Sequence, residues 1–280
     1  MNQLLSGILP GLAPGLLAGG PASEVPAGAP GGMVLPGGTK ENPLAIGVLP
    51  GPPFITTPLS HIRQVSIMNL EASRQSVVPV SIVAEVDASN LVAARAALKP
   101  QFERSFGIPL TYTPFFVRAT TRALQAYPIM NSMLTPQGHI IPRQINIGVA
   151  TQAPGGVLLP TIQNAESKGI GQVALELYRI SQLAPTGQLG AWEMANQTFI
   201  ITNTGRFGVT LFGTPVIKPP NVGILAFEAI KKQPVVLDDD RIVVRPMMYV
   251  VLTADHRAVD GVEMMGFIGK VKESLEKLRL

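Results

Sequence analysis

The pattern of apolar and polar residues predicts a mixture of helices and strands after residue 58. Helices are predicted at 59–74, 89–106, 113–127, 168–183 and from Asp260 onward. Runs of β-branched and small residues predict strands at 77–86, 139–143, 145–151, 156–162, 198–203, 222–227, 234–237, 241–244 and 248–254. The last helix carries an apolar stripe at helical spacing, formed by Met264, Ile268, Val271, Leu275 and Leu278. Because helices and strands do not alternate strictly, the pattern indicates an α+β architecture.

The beginning of the chain has a different composition. Residues 1–40 hold 10 Gly and 6 Pro but only two charged residues, Glu24 and Lys40. Gly leaves the backbone free and Pro removes an amide donor, so this composition resists both helix and sheet. We therefore expect residues 1–55 to form a flexible linker and residues 56–280 to form one large domain.

Composition and charge narrow the choice of partners. Charged residues make up 14% of the 280 residues, well below the usual ~25%, which suggests a surface hidden in an assembly. The net charge is only +4, and no basic run is interleaved with aromatic residues, so a nucleic-acid partner is not expected. No stretch of ~20 unbroken apolar residues or signal peptide is found, so we expect no membrane span. The absence of Cys excludes disulfides and a Cys nucleophile, which fits a reducing compartment.

Only three histidines are available for catalysis. His61 and His139 are interpreted as ordinary surface residues. His256 follows an apolar strand and precedes a capped helix, with Arg257 and Asp260 close in sequence, so it lies where catalytic groups are often carried. A structural role for His256 fits the same position. No resident metal is expected, because no second His lies nearby to complete a zinc ligand set. The spacings of nucleotide-binding loops and of the hydrolase GxSxG turn are also absent.

Several segments resemble one enzyme family. The sequence LTADHRAVDG at residues 252–261 resembles the DHRxxDG signature of the catalytic domain of dihydrolipoamide acyltransferases, the core components of 2-oxoacid dehydrogenase complexes. FIITNTG at 199–205 and TPVIKPPNVGIL at 214–225 resemble two further family segments, and shorter matches lie at 113–117 and 146–150. Together with the first helix these segments cover residues 56–280 in the order of the family.

The resemblance implies roles for five residues. His256 would be the general base that takes the thiol proton, and the Thr202 hydroxyl would stabilise the oxyanion of the transition state. Asp260 would orient the region of His256, cap the last helix, or do both. Ser73 and Arg74 match positions that contact the nucleotide end of coenzyme A. The alternative interpretations are a β-branched strand residue for Thr202 and a solvated helix end for Ser73 and Arg74.

The resemblance also implies a fold and an assembly. The fold would be the α+β two-layer sandwich of the chloramphenicol acetyltransferase class, a mixed sheet packed by helices. The active site would lie at the interface of a homotrimer, with His256 and Thr202 from different chains. The acyl group would pass between the dihydrolipoyl thiol of a lipoyl domain and coenzyme A. The trimers would form a cubic or dodecahedral core that also binds decarboxylase and dihydrolipoamide dehydrogenase components, in the bacterial cytoplasm or the mitochondrial matrix.

Two alternative functions stay open at this point. The chain could be a catalytically silent core scaffold, or a related enzyme that acylates a small alcohol or amine. Residues 1–55 contain no lipoylatable hairpin and no basic helical pair, so the lipoyl arm is expected to come from a truncated part or from another chain. The sequence leaves the acyl group open among acetyl, succinyl and branched-chain groups.

Overall fold

The computed structural model describes residues 58–278, and the predicted linker at 1–55 lies outside them. Five helices are present in this part of the chain: α1 His61–Ser76, α2 Ser89–Phe106, α3 Thr113–Ala126, α4 Ile170–Leu183 and α5 Gly261–Glu276. The same part contains eleven strands: β1 Pro79–Asp87, β2 Met133–Thr135, β3 Gly138–Ile140, β4 Ile147–Val149, β5 Thr151–Ala153, β6 Gly156–Leu158, β7 Thr161–Ile162, β8 Phe199–Asn203, β9 Gly223–Phe227, β10 Lys231–Val236 and β11 Ile242–Asp255.

A mixed seven-stranded sheet forms the centre of the fold. Its strand order is β1-β11-β9-β8-β4-β7, and β10 pairs with the first half of β11. The β8 strand runs parallel to both β9 and β4, whereas β1, β9 and β10 run antiparallel to β11. The two remaining strand pairs, β2 with β3 and β5 with β6, are short hairpins.

The long strand β11 differs from the sequence prediction. Two strands were expected here, at 241–244 and 248–254. The structure has one strand of 14 residues, in which Pro246 pairs with Lys232 of β10. Proline is tolerated in a strand that has a neighbour on one side only, and β1 reaches no further than Met247. The prediction of two strands was therefore wrong.

The core lies between one face of the sheet and helices α2 to α5. Phe116 of α3 stacks on Phe227 of β9 with ring centroids 4.2 Å apart, and Phe199 of β8 packs against Phe267 of α5 at 5.4 Å. Four residues of the predicted stripe on α5 are buried, and Leu278 packs against the core while partly exposed. These contacts, with the mixed sheet, confirm the predicted α+β architecture of a sheet packed by helices.

The opposite face of the sheet carries a smaller apolar cluster. Ile200 of β8 and Ile224 of β9 point to this face and are buried with Ile217. Val77 and Leu159 pack against the cluster from the segments that follow α1 and β6. The α1 helix therefore approaches the sheet on the side away from the main core.

No helix within residues 58–278 is both long and apolar enough to cross a membrane.

Candidate active site

The candidate site begins at the junction between β11 and α5. The strand ends at Asp255, and the backbone turns sharply because the amides of Ala258 and Val259 donate to the Asp255 carbonyl at 2.9 and 3.2 Å. The amide of His256 donates to the carbonyl of Val78, before β1, at 2.9 Å. The backbone of His256 is thus fixed to the neighbouring strand, whereas its imidazole reaches the surface.

A buried carboxylate holds this junction in shape. Asp255 is only 3% exposed, and its carboxylate accepts hydrogen bonds from the amides of Val78 and Arg257 at 3.2 Å. The Arg257 guanidinium donates to both carboxylate oxygens, the shortest contact being Nη2 to Oδ2 at 2.7 Å, and it also donates to the Ser76 carbonyl. Burial would raise the pKa of Asp255, but the hydrogen bonds from Arg257 and Val78 outweigh burial and hold this pKa below its ordinary value.

His256 and Asp260 lie close together on the surface. The distance from His256 Nδ1 to Asp260 Oδ1 is 3.7 Å, and the two side chains are 44% and 81% exposed. This separation is longer than a hydrogen bond, so the pair attracts only when the imidazole is protonated. Asp260 is also the N-cap residue of α5, and Glu263 accepts a hydrogen bond from its amide at 3.2 Å. Asp260 therefore lies beside His256 and at the start of α5 without a hydrogen bond from its carboxylate to the imidazole, and both of its expected roles stay predictions.

Ser73 and Arg74 lie near the same junction. Both are in the last turn of α1, where the Ser73 carbonyl accepts a hydrogen bond from the Val77 amide at 3.0 Å. Ser73 is buried, Arg74 is exposed, and in the part of the chain that the structure describes Arg74 has no ion-pair partner. The contacts of Arg257 and His256 with residues 76–78 bring this end of α1 to the corner that carries the imidazole.

Thr202 lies further along the sheet, away from the His256 junction. It is half-buried in β8 and pairs with Ala226 of β9, which in turn pairs with Val251 of β11. His256 is five residues beyond Val251, so Thr202 is about 16 Å from it along the strand direction alone, at ~3.3 Å per residue. Among residues 58–278 the Thr202 hydroxyl has no hydrogen-bond partner. The structure does not bring Thr202 and His256 of one chain together.

A second buried carboxylate, missed in the sequence, stabilises the segment after Thr202. Glu228 is 2% exposed and accepts hydrogen bonds from the Thr204 hydroxyl and from the Gly213 amide, the latter at 3.2 Å. Gly205 packs against the Glu228 backbone so closely that a Cβ would lie 2.3 Å from its carbonyl oxygen. The available signal was a lone acidic residue directly after the apolar run at 222–227, which predicts a buried polar contact.

No group of three His, Asp or Glu side chains converges to hold a metal ion within residues 58–278. The side chains of the candidate site described above are an imidazole, carboxylates, a guanidinium and a hydroxyl.

Solved structures of dihydrolipoamide acetyltransferases share this fold, and the chain belongs to the same class of protein, the acyltransferases. Residues 52–280 match the model of the family described as 2-oxoacid dehydrogenases acyltransferase (catalytic domain). The chain belongs to this family, and the resemblance seen in its sequence is confirmed.

Relatives and solved structures that resemble this chain support its place in the family. The lipoamide acyltransferase component of the branched-chain alpha-keto acid dehydrogenase complex of Bacillus subtilis is 35% identical over 221 residues, which are 79% of this chain and 52% of the relative. A probable dihydrolipoamide acetyltransferase of Listeria monocytogenes has a similar structure, with a TM-score of 0.77, 33% identity and coverage of 80% of this chain and 95% of that one. The cubic core of a pyruvate dehydrogenase multienzyme complex gives a TM-score of 0.77 at 30% identity, covering 80% and 92%. The chain spans about half the length of the curated relatives it matches.

Proposed function

We propose that this chain transfers an acyl group between the dihydrolipoyl thiol of a lipoyl domain and the thiol of coenzyme A, as the core of a 2-oxoacid dehydrogenase complex. The observation that carries the proposal is the exposed imidazole of His256, within the segment 252–261 that resembles the family signature. The residue directly follows β11, and its amide is hydrogen-bonded to the Val78 carbonyl before β1. The name of the Bacillus subtilis relative, a lipoamide acyltransferase component, agrees with the lipoyl substrate. In this proposal residues 56–280 are the catalytic domain and residues 1–55 its linker.

His256 acts in this mechanism as a general base. A free thiol has a pKa of ~8.5 and is mostly protonated at neutral pH, so its nucleophilicity is low until the proton leaves. Neutral imidazole takes this proton while the sulfur attacks the thioester carbonyl. When the tetrahedral intermediate collapses, the second thiol leaves and recovers the proton from the imidazolium. Asp260 stabilises the imidazolium electrostatically from 3.7 Å, with an effect reduced by solvent at this exposed position.

Thr202 of a second chain completes the site in this proposal. Its hydroxyl donates to the carbonyl oxygen, on which negative charge develops during attack. Within one chain the sheet register keeps Thr202 and His256 apart, so one site can use both only by combining two copies. The segment that follows Thr202 exposes large apolar side chains, including Phe207, Val209 at 79% and Phe212, as expected of a surface that another chain covers.

We further propose that the chains form homotrimers that assemble into a cubic or dodecahedral core. The similarity to a cubic core supports this assembly, and lipoyl domains, decarboxylase and dihydrolipoamide dehydrogenase would be its partners. Ser73 and Arg74 would bind the nucleotide end of coenzyme A, since Arg74 offers an exposed cation at the corner that carries His256. The compartment, bacterial cytoplasm or mitochondrial matrix, stays a prediction.

Acyl transfer from acetyl-CoA to dihydrolipoamide tests the base. We expect His256→Ala to lower kcat by about 10²–10⁴-fold, the usual contribution of general base catalysis. His139→Ala is the matched control, because His139 is an exposed histidine on β3, outside the proposed site. Equal rates in wild type and His256→Ala would instead support the silent scaffold. Transfer to small alcohols or amines but not to dihydrolipoamide would support the alternative acyltransferase.

Mixing two inactive variants tests the shared site. We expect Thr202→Val to lower kcat by about 10²–10³-fold, as for loss of an oxyanion donor. If His256→Ala and Thr202→Val subunits are unfolded together and reassembled at equal amounts, about a quarter of the interfaces combine an intact His256 with an intact Thr202. Activity should therefore return to about a quarter of wild type. If mixed assemblies form and no activity returns, the two residues do not act across chains.

A further inference from the structure

A groove lies beneath α1, on the face of the sheet that carries the smaller apolar cluster. Its volume is 370 Å³, within the range of ~300–1,000 Å³ that is usual for small-molecule sites. One wall is the side of α1 that carries Ile62, Val65 and Ser66, and the other is formed by residues 157–159 and 216–218. Most of this lining is apolar, so the groove suits a ligand with an apolar chain.

Lys218 is the polar residue that makes this groove unusual. Its side chain is half-buried, and its Nζ donates to Gln197 Oε1 at 2.8 Å. An ammonium has three protons, and among residues 58–278 only this neutral amide accepts from it, so two of the protons have no partner in this part of the chain. Within the described residues no carboxylate forms an ion pair with Lys218, and the groove lining contains no Asp or Glu. Burial lowers the pKa of Lys218, which is the sign of a cation that is poorly compensated.

The facing wall adds further donors. Ser66 and Asn69 on α1 line the groove, and neither side chain forms a hydrogen bond within residues 58–278. A hydroxyl and an amide can both donate to an anion. The groove thus combines the ammonium of Lys218, the polar side chains of Ser66 and Asn69 and the exposed imidazole of His61 with an otherwise apolar lining, and no Asp or Glu among residues 58–278 lines it.

We propose that this groove binds a small carboxylate with a short apolar chain, the carboxylate accepting from Lys218 Nζ and the chain packing against Ile62, Val65 and Val216. This site goes beyond the proposed acyl transfer, because neither His256 nor Thr202 lines it. A carboxylate there supplies the counter-charge that Lys218 lacks, and a charge-assisted hydrogen bond in a half-buried place is stronger than one in water.

Calorimetric titration of the assembled wild-type protein with hexanoate tests the site, with hexanol as the neutral probe of the same chain length. We expect hexanoate to bind more tightly than hexanol. Lys218→Met should weaken hexanoate binding by about 10–100-fold, the range for loss of a hydrogen bond to a charged group, and leave hexanol binding unchanged. Lys232→Met, which removes an exposed lysine on β10, should change neither affinity.

A second variant tests the charge preference of the groove even if Lys218→Met fails to fold. Ser66→Asp keeps Lys218 but places a carboxylate in the facing wall, so hexanoate binding should again weaken while hexanol binding persists. Unchanged hexanoate affinity in Lys218→Met, or no binding to wild type, would overturn the proposal. Displacement of hexanoate by coenzyme A would assign the groove to coenzyme A and would also overturn a separate site. Activity of the wild type is measured in parallel, so that failure of this site is distinguished from failure of the acyl transfer.

Discussion

The ion pair between the buried carboxylate of Asp255 and the half-exposed Arg257 provides a direct test of what holds the His256 junction in shape. In Asp255→Asn an NH₂ group replaces one carboxylate oxygen. Because the Arg257 guanidinium donates to both oxygens, this NH₂ group faces another donor, and the negative charge of the ion pair is lost. The loss also affects Val78, whose amide is bound by Asp255 and whose carbonyl is bound by the His256 amide. The substitution should therefore loosen the backbone that carries the imidazole.

The expected cost follows from these contacts. Hydrogen bonds to charged groups contribute ~1.5–3 kcal/mol, and breaking a fully buried pair costs ~3–5 kcal/mol. The carboxylate of Asp255 is buried but the Arg257 side chain is 46% exposed, so we expect about 2–3 kcal/mol. For a domain of this size the change lowers Tm by roughly 4–12 °C.

Asp239→Asn is the matched control for this prediction. Asp239 and Arg241 have the same spacing in sequence and a contact of 2.7 Å, but their side chains are 55% and 70% exposed. An exposed pair contributes ~0–1 kcal/mol, so Tm should fall by less than about 4 °C. Thermal unfolding of the three proteins at one subunit concentration measures both shifts. Equal shifts in the two variants would refute the idea that burial makes the Asp255 pair important.

Two further predictions concern acid and a glycine. Since the folded-state pKa of Asp255 is lowered, its contribution to stability is complete above the unfolded value of 3.8 and is lost as pH falls through the folded value. The difference in Tm between wild type and Asp255→Asn should therefore shrink below pH 3.8, and a growing difference would contradict the sign. Gly205→Ala should cost about 1–3 kcal/mol in chemical unfolding, because its Cβ meets the Glu228 carbonyl at 2.3 Å. Gly213→Ala, which meets nothing within 4 Å, should be nearly neutral, and equal costs would argue against the clash.

Periodic segments were predicted well from sequence. The helices begin and end within about two residues of the predicted bounds, and the amphipathic pattern is clearest in α3 and α5, which bury one apolar face in the core. The stripe of α5 is an example, although Phe267, which is also buried, was not included in it. Short elements were predicted less well: β2 was missed, and the predicted strand 156–162 is two strands, β6 and β7, in different sheets. Strands of two or three residues carry too few alternations to be recognised.

The candidate site, too, could be predicted only in part from the sequence. The group of Asp255, His256, Arg257 and Asp260 was found because its members are neighbours in sequence and lie at one junction. The sequence could not determine what Arg257 contacts, since its partners include the Ser76 carbonyl, 181 residues away. Nor could it determine the distance to Thr202, which depends on the register of β8, β9 and β11. Pairing register is decided by the whole sheet and not by any local pattern.

The low content of charged residues and the apolar surface after β8 both support the proposed assembly of several chains. Charged residues make up only 14% of the chain, and the segment between β8 and β9 exposes Val209, Leu211 and Phe212. A protein that stayed monomeric would leave this apolar surface in water, at a cost of ~25 cal/mol for each Å². Because the segment starts two residues after Thr202, a second chain that covered it would come close to the hydroxyl that lacks a partner within residues 58–278. Burial of this surface and completion of the proposed site would then be a single event, so a substitution that prevented assembly should also abolish acyl transfer.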